Sequence, residues 1–193
     1  MDALNIITGI ALLLSIIANS PTAKGGLKRA VQKYAVKPKT YLQKTPLNVS
    51  AVILILEILG VFQIGTLEYT NNLLYIRIGG LVLFILFGWL QVQAFKNLKN
   101  NYTQDVALNK NHQLVTKGIH KVIRHPQYIS QVISDLGIGI ALLGYLIIPL
   151  VLMVELPLFI MRAKKEEEIM QKFFGEKFTE YKKKSGFFLP YIG

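Results

Sequence analysis

All but one of the 22 Lys and Arg residues of this 193-residue chain lie outside the long apolar runs, in every second connection and in the segment after the last run. The runs are about Leu4–Ala18, Leu47–Leu67, Leu73–Phe95 and Ile129–Met161. Lys24, Lys28, Arg29, Lys33, Lys37, Lys39 and Lys44 separate the first two runs, and Lys96, Lys99, Lys110, Lys117, Lys121 and Arg124 follow the third. Beyond the fourth come Arg162, Lys164, Lys165, Lys172, Lys177, Lys182, Lys183 and Lys184. The connections 68–72 and 145–149 carry no basic residue, and Arg77 is the exception. Apolar runs of this length read as membrane helices, because only a helix satisfies its own backbone in hydrocarbon. The basic asymmetry places the N-terminus outside and the C-terminus in the cytoplasm.

As one helix, Ile129–Met161 would measure roughly 50 Å, too long for a hydrocarbon core of about 30 Å. Gly144 and Pro149 interrupt it, so it reads as a helical hairpin turning near Gly144–Pro149. The expected fold is therefore an all-α polytopic membrane protein with five transmembrane helices, the last two paired, and a cytoplasmic pocket. Residues 1–95 would hold three helices and a basic loop. Residues 96–193 would form a core of connector, hairpin 129–161 and amphipathic tail, the tail carrying Ile169, Phe173, Phe174, Phe178 and Tyr181 at helical spacing.

Composition agrees. The chain is 52% hydrophobic and 17% charged, whereas a soluble domain carries about a quarter charged residues. A net charge of +11 could suggest nucleic acid. Its placement beside apolar runs suits membrane lipid instead, and no recognition motif points to nucleic acid. The run at Leu4 follows Asp2 rather than a basic residue, so it reads as an uncleaved span and not a signal peptide. The chain has no cysteine, which removes disulfide, thiolate and Cys-metal chemistry.

Carboxyls inside spans are functional candidates. Glu57, Asp135 and Glu155 qualify, and serving bundle packing is the competing reading of each. Glu155, Phe159, Arg162 and Glu166 share one helix face, which Pro157 could kink. The simpler account of that face is an ordinary Arg162–Glu166 pair. The three histidines, His112, His120 and His125, fall within one cytoplasmic stretch. Their spacings, the lack of a carboxylate ligand nearby and the His-Pro step argue against a metal site.

The pattern His112-x-Leu114-Val115-x-x-Gly118, then Arg124-His125-Pro126-x-Tyr128, resembles the signature of the isoprenylcysteine carboxyl methyltransferase family. Arg162-x-x-x-Glu166-Glu167, Phe174-Gly175-x-x-Phe178-x-x-Tyr181 and Leu189-Pro190 continue it in order. Asn97–Thr103 is similar to the family's lead-in. The resemblance covers residue 95 to the end. It implies an S-adenosyl-L-methionine-dependent O-methyltransferase, releasing S-adenosyl-L-homocysteine and acting on a lipophilic or prenylated substrate that enters from the bilayer. It further implies that His112, Gln113, Leu114, Val115, Gly118, His120, His125, Pro126, Gln127, Tyr128 and Glu166 surround the cofactor, with no metal. Arg162 would grip the substrate carboxylate and, with Glu166, form the catalytic pair. Methyl transfer needs alignment of donor and acceptor above all, and a planar guanidinium suits a carboxylate.

Two positions depart from the family's pattern: His120 stands where Tyr is usual, and Asp105 where some members have Gln. Both leave room for an amine acceptor, as in phospholipid N-methyltransferases, with His120 or Asp105 as base. A nicotinamide-dependent membrane reductase and a small transporter using the buried carboxyls are the remaining alternatives.

Overall fold

The computed structural model describes residues 2–30 and 34–193, with all side chains except those of 21–30 and 100. Of the first basic loop, Lys33 lies outside the described residues, as do the side chains of Lys24, Lys28 and Arg29.

Among the described residues, seven α-helices carry the fold: α1 (Ala3–Ala30), α2 (Thr45–Val61), α3 (Leu74–Leu98), α4 (Pro126–Ala141), α5 (Ile147–Leu150), α6 (Leu156–Phe174) and α7 (Glu176–Lys184). A π-helical stretch, Val151–Glu155, joins α5 to α6 without a break. It ends two residues before Pro157, which has no N–H to close the ordinary ladder, and a π turn is one way to accommodate that gap. The chain is not purely α-helical. Tyr34–Val36 (β1) pairs antiparallel with Leu108–Asn109 (β2), tying the first basic loop to the connector after α3.

Helix ends differ from the hydropathy boundaries for local reasons. The α1 backbone continues to Ala30, past the apolar run that stops at Ala18, because hydrogen bonding rather than hydropathy ends a helix. α2 stops at Val61, short of Leu67, where Gln63 and Gly65 adopt positive φ. The turn after α4 occupies 142–146, so Pro149 sits inside α5 rather than in the turn. The tail is two helices: Gly175, at φ 56°, separates α6 from α7.

Ala3–Ser20 and Asn71–Leu98 are long and apolar enough to cross a membrane by length and composition, and Thr45–Val61 is a shorter apolar helix. By that measure two helices qualify among the described residues, not five. α1 and α3 turn large apolar side chains outward, Ile10, Leu13, Leu14, Val82, Ile85 and Trp89 among them.

α3 and α4 pack backbone to backbone. A Cβ on Gly80 would lie 2.6 Å from both Ala141 N and Gly137 O, and one on Gly137 would lie 2.5 Å from Phe84 N. Small residues permit such an approach between helices. Leu12, Val61, Leu81, Phe84, Ile138 and Leu142 pack into one core cluster. Ile53, Val132, Ile147, Val151, Phe159 and Phe188 form a second, nearer the cleft described below.

Arg77, the basic residue outside the loops, is 2% exposed and fully engaged. It donates to Asp2 at 2.5 Å, Asn5 Oδ1 at 2.7 Å and Ala141 O at 2.9 Å, with its guanidinium over the Tyr69 ring. The partners offset its desolvation, as burial of a charge requires.

Candidate functional site

One cleft gathers segments that are far apart in sequence. Its wall includes Asn101–Thr103, Asp105, His112–Val115, His120, Arg124, His125, Gln127, Tyr128, Glu166 and Tyr181. Its empty space, open mouth included, is about 730 Å³.

The structure brings nine of the expected residues into this wall: His112, Gln113, Leu114, Val115, His120, His125, Gln127, Tyr128 and Glu166. Three others stand behind it. Gly118, at φ 62°, abuts the Asn97 side chain so closely that a Cβ there would collide with the amide. Pro126 opens α4, where a missing N–H costs nothing. Arg162 is 3% exposed and held by protein groups.

Arg162 is a junction. Its Nε reaches Tyr128 Oη at 2.8 Å and Glu166 Oε1 at 3.3 Å, its Nη1 reaches Leu42 O at 3.4 Å, and its Nη2 reaches Gln104 O at 2.5 Å. The second hydrogens on Nη1 and Nη2 are the ones left for an incoming acceptor. Tyr128 Oη also donates to Glu166 Oε1 at 2.5 Å, and its ring stacks on Phe159 with centroids 4.8 Å apart. Phe159, Arg162 and Glu166, all beyond Pro157 in α6, thus share one helical face against Tyr128. At its upper end Glu155 accepts from Ser50 Oγ at 2.7 Å. Glu57, Asp135 and Glu155 are all buried, and Gln131 donates to Asp135 at 3.1 Å.

Behind the cleft, Glu167 ties three basic groups together. Its Oε1 accepts from Arg124 Nε at 2.6 Å and lies 3.2 Å from His125 Nε2, while its Oε2 meets Lys182 Nζ at 2.9 Å. Burial pushes this carboxyl up, but the hydrogen bonds from His125, Arg124 and Lys182 outweigh it and hold the group at about 2. His125 lies between two carboxyls, with Glu166 Oε2 3.7 Å from Nδ1. Arg124 also donates to Gly193 O at 2.8 Å and to Ser185 O. The segment after α7 thereby packs against 122–125, where Arg124 N donates to Gly186 O at 2.8 Å and His125 N to Phe187 O at 3.3 Å. Glu167 and Arg124 stood in the quoted sequence motifs without an assigned role. Their pairing is a contact across 43 positions that no spacing rule shows.

Asp105 is not a free base. Burial raises it, and Lys37 at 2.6 Å with Tyr34 at 2.9 Å brings it net below the usual carboxylate range. Burial pushes the His112 imidazole down to about 4, and burial followed by the nearby His125 does the same for His120. Four buried polar atoms in this wall have no protein partner: His112 Nδ1, both ring nitrogens of His120, and Gln127 Oε1.

The model of the isoprenylcysteine carboxyl methyltransferase (ICMT) family matches residues 80–172. Similar proteins include the protein-S-isoprenylcysteine O-methyltransferases of Schizosaccharomyces pombe and Tribolium castaneum. The first is 36% identical over 106 residues, 54% of this chain and 45% of that protein. The second is 30% identical over 115 residues, 58% of this chain and 41% of that protein. The Xenopus laevis enzyme of the same name is 29% identical over 135 residues, 68% of this chain and 47% of that protein. The chain thus spans somewhat less than half the length of these relatives. A solved structure described as the eukaryotic intramembrane Ras methyltransferase ICMT shares the fold, with a TM-score of 0.60 at 23% identity over 77% of this chain and 54% of that one. Residues 80–172 of the chain are thus similar to the isoprenylcysteine carboxyl methyltransferase family.

Proposed function

We propose that this protein is an integral-membrane, S-adenosylmethionine-dependent methyltransferase that esterifies the carboxylate of a lipophilic, isoprenylcysteine-like substrate. The observation that carries this reading is the cleft itself. The separated segments His112–Val115, His125 with Gln127 and Tyr128, and Glu166 line one wall, with unpaired polar atoms of His112, His120 and Gln127 among them. Unpaired buried polar atoms are costly unless a ligand completes them, so the residues present fit a polar cofactor. S-adenosylmethionine supplies, when bound, a methyl group on a sulfonium that is its own leaving group.

In this reading Glu166 presents a carboxylate to the cationic cofactor, and Tyr128 and Arg162 fix its position through hydrogen bonds. The two remaining Arg162 hydrogens face the substrate carboxylate, which holds the acceptor oxygen in line. Methyl transfer to an ionised carboxylate needs no general base. Asp105, already paired with Lys37 and Tyr34, does not offer one for an amine. The outward apolar faces of α1 and α3 support a bilayer setting with lateral entry of the substrate. We place five spans in the membrane, with the N-terminus outside and the cleft in the cytoplasm. The lipid-facing basic loops would meet the inner leaflet.

The test is calorimetric titration of detergent-purified protein with S-adenosylhomocysteine, followed by transfer of labelled methyl to an S-farnesylcysteine with a free carboxylate. Saturable binding and base-labile label are the expected result. Arg162→Ala should abolish transfer and keep cofactor affinity within about ten-fold. Absence of binding to folded protein overturns the reading.

A further inference from the structure

The guanidinium of Arg162 is oriented by two segments that the fold brings together from far apart in the chain. Nη1 donates to Leu42 O, in the first basic loop, and Nη2 donates to Gln104 O, in the connector after α3. Each Nη keeps one hydrogen for an incoming acceptor. The direction of those two hydrogens is therefore set by how the loop sits against the connector.

One side chain clasps the two segments at this point. The 3-10 turn Tyr41–Gln43 is capped by Thr40 Oγ1, which accepts from Leu42 N at 3.3 Å. Leu42 is buried there, and the next side chain, Gln43, reaches the connector. Its Oε1 accepts from Val106 N at 2.7 Å, while its Nε2 donates to Val106 O at 3.1 Å and to Pro38 O at 3.0 Å. Val106 is fully buried, so its backbone N–H and C=O require partners, and Gln43 supplies both. Leu42 and Gln104, whose carbonyls hold Arg162, lie one and two positions from the clasped residues. The Lys37–Asp105 pair, at 2.6 Å, joins the same segments, but its lysine is half exposed and solvent screens it.

We propose that Gln43 is a positioning residue for the substrate carboxylate. Its clasp on Val106 holds Leu42 O and Gln104 O where they aim the free hydrogens of Arg162. This rests on the methyltransferase reading above, which gives Arg162 the carboxylate. Gln43 lies outside residues 80–172, the stretch matched by the family model.

The experiment titrates the full chain with S-adenosylhomocysteine, then titrates the saturated protein with S-farnesylcysteine and with its carboxamide. The carboxamide keeps the lipid and removes the carboxylate charge. Gln43→Met keeps the side-chain length and removes all three hydrogen bonds. It should weaken the free acid about ten-fold, the scale of one hydrogen bond to a charged group. The carboxamide and S-adenosylhomocysteine should stay within about two-fold. Gln43→Glu, which retains the bond from Val106 N, should lose less, and it carries the same comparison if Gln43→Met does not fold. In an Arg162→Ala background, Gln43→Met should cost the free acid nothing more, because the two residues act through one contact. Equal weakening of all three ligands, or an undiminished effect without Arg162, marks a merely structural side chain and overturns the proposal. Unchanged affinity for the free acid overturns it as well. If wild type holds the acid no more tightly than the carboxamide, the carboxylate reading of Arg162 falls, and the Gln43 assignment with it.

Discussion

Glu167 holds together the parts of the cleft wall that come from different places in the chain. One carboxylate reaches Arg124, His125 and Lys182, from the connector, the entry to α4 and α7. Its pKa, held at about 2 against an ordinary 4.5, links it to acid stability. The lowered folded value means that its contribution is complete above about 4.5 and is lost as pH falls toward 2. A melting curve in detergent should therefore fall across that window more steeply in wild type than in Glu167→Gln, and the variant should already melt lower at pH 7. Parallel curves for the two proteins would show that the carboxylate does not carry this load. At this scale the sequence is partly legible. Histidines and an Arg-His-Pro step announce polar chemistry, and the family resemblance groups them. Which carboxylate grips which base is decided by a contact across 43 positions, and no local pattern records that.

Among the elements, the α3–α4 pair shows how glycine placement sets the site. Gly80 and Gly137 let the two backbones touch, and α4 carries His125, Gln127 and Tyr128 at its start. Gly137→Val would force the helices apart, with a cost at or above the ~1–3 kcal/mol of ordinary overpacking. Gly79→Val, with nothing within 4 Å of its Cβ, serves as the control. A large drop in melting temperature for the first and little change for the second is expected; equal tolerance would contradict the packing. Helix positions were readable from apolar runs, and Gly144 did mark a break. The strands β1 and β2 were not readable, because three and two residues are too few to show alternation. The uninterrupted passage through Pro157 also escaped notice, since proline signals a disturbance without telling whether a π turn absorbs it.

For the whole molecule, the alternation of basic and non-basic connections is the feature that gives direction to the chain. Because the chain has no cysteine, single replacements report cleanly on sidedness. Asn72→Cys should react with a membrane-impermeant maleimide in intact cells, and Lys110→Cys only after permeabilisation. The reverse pattern would invert the proposed orientation. Hydropathy made the membrane setting legible because lipid-facing residues need no partner. The pairing of residues 122–125 with 185–193 behind the cleft was not, since no local pattern records it.

That pairing also has a schedule. Arg124 and Ser185 are 61 positions apart, so a ribosome delivers the first long before the second. Through that interval the guanidinium of Arg124 lacks the carbonyls of Ser185 and Gly193, and His125 lacks the segment that carries Phe187. Closing so long a loop is among the slower steps available to a helical chain. The apolar helices can thus be in place while the pairing of 122–125 with 185–193 is still unmade.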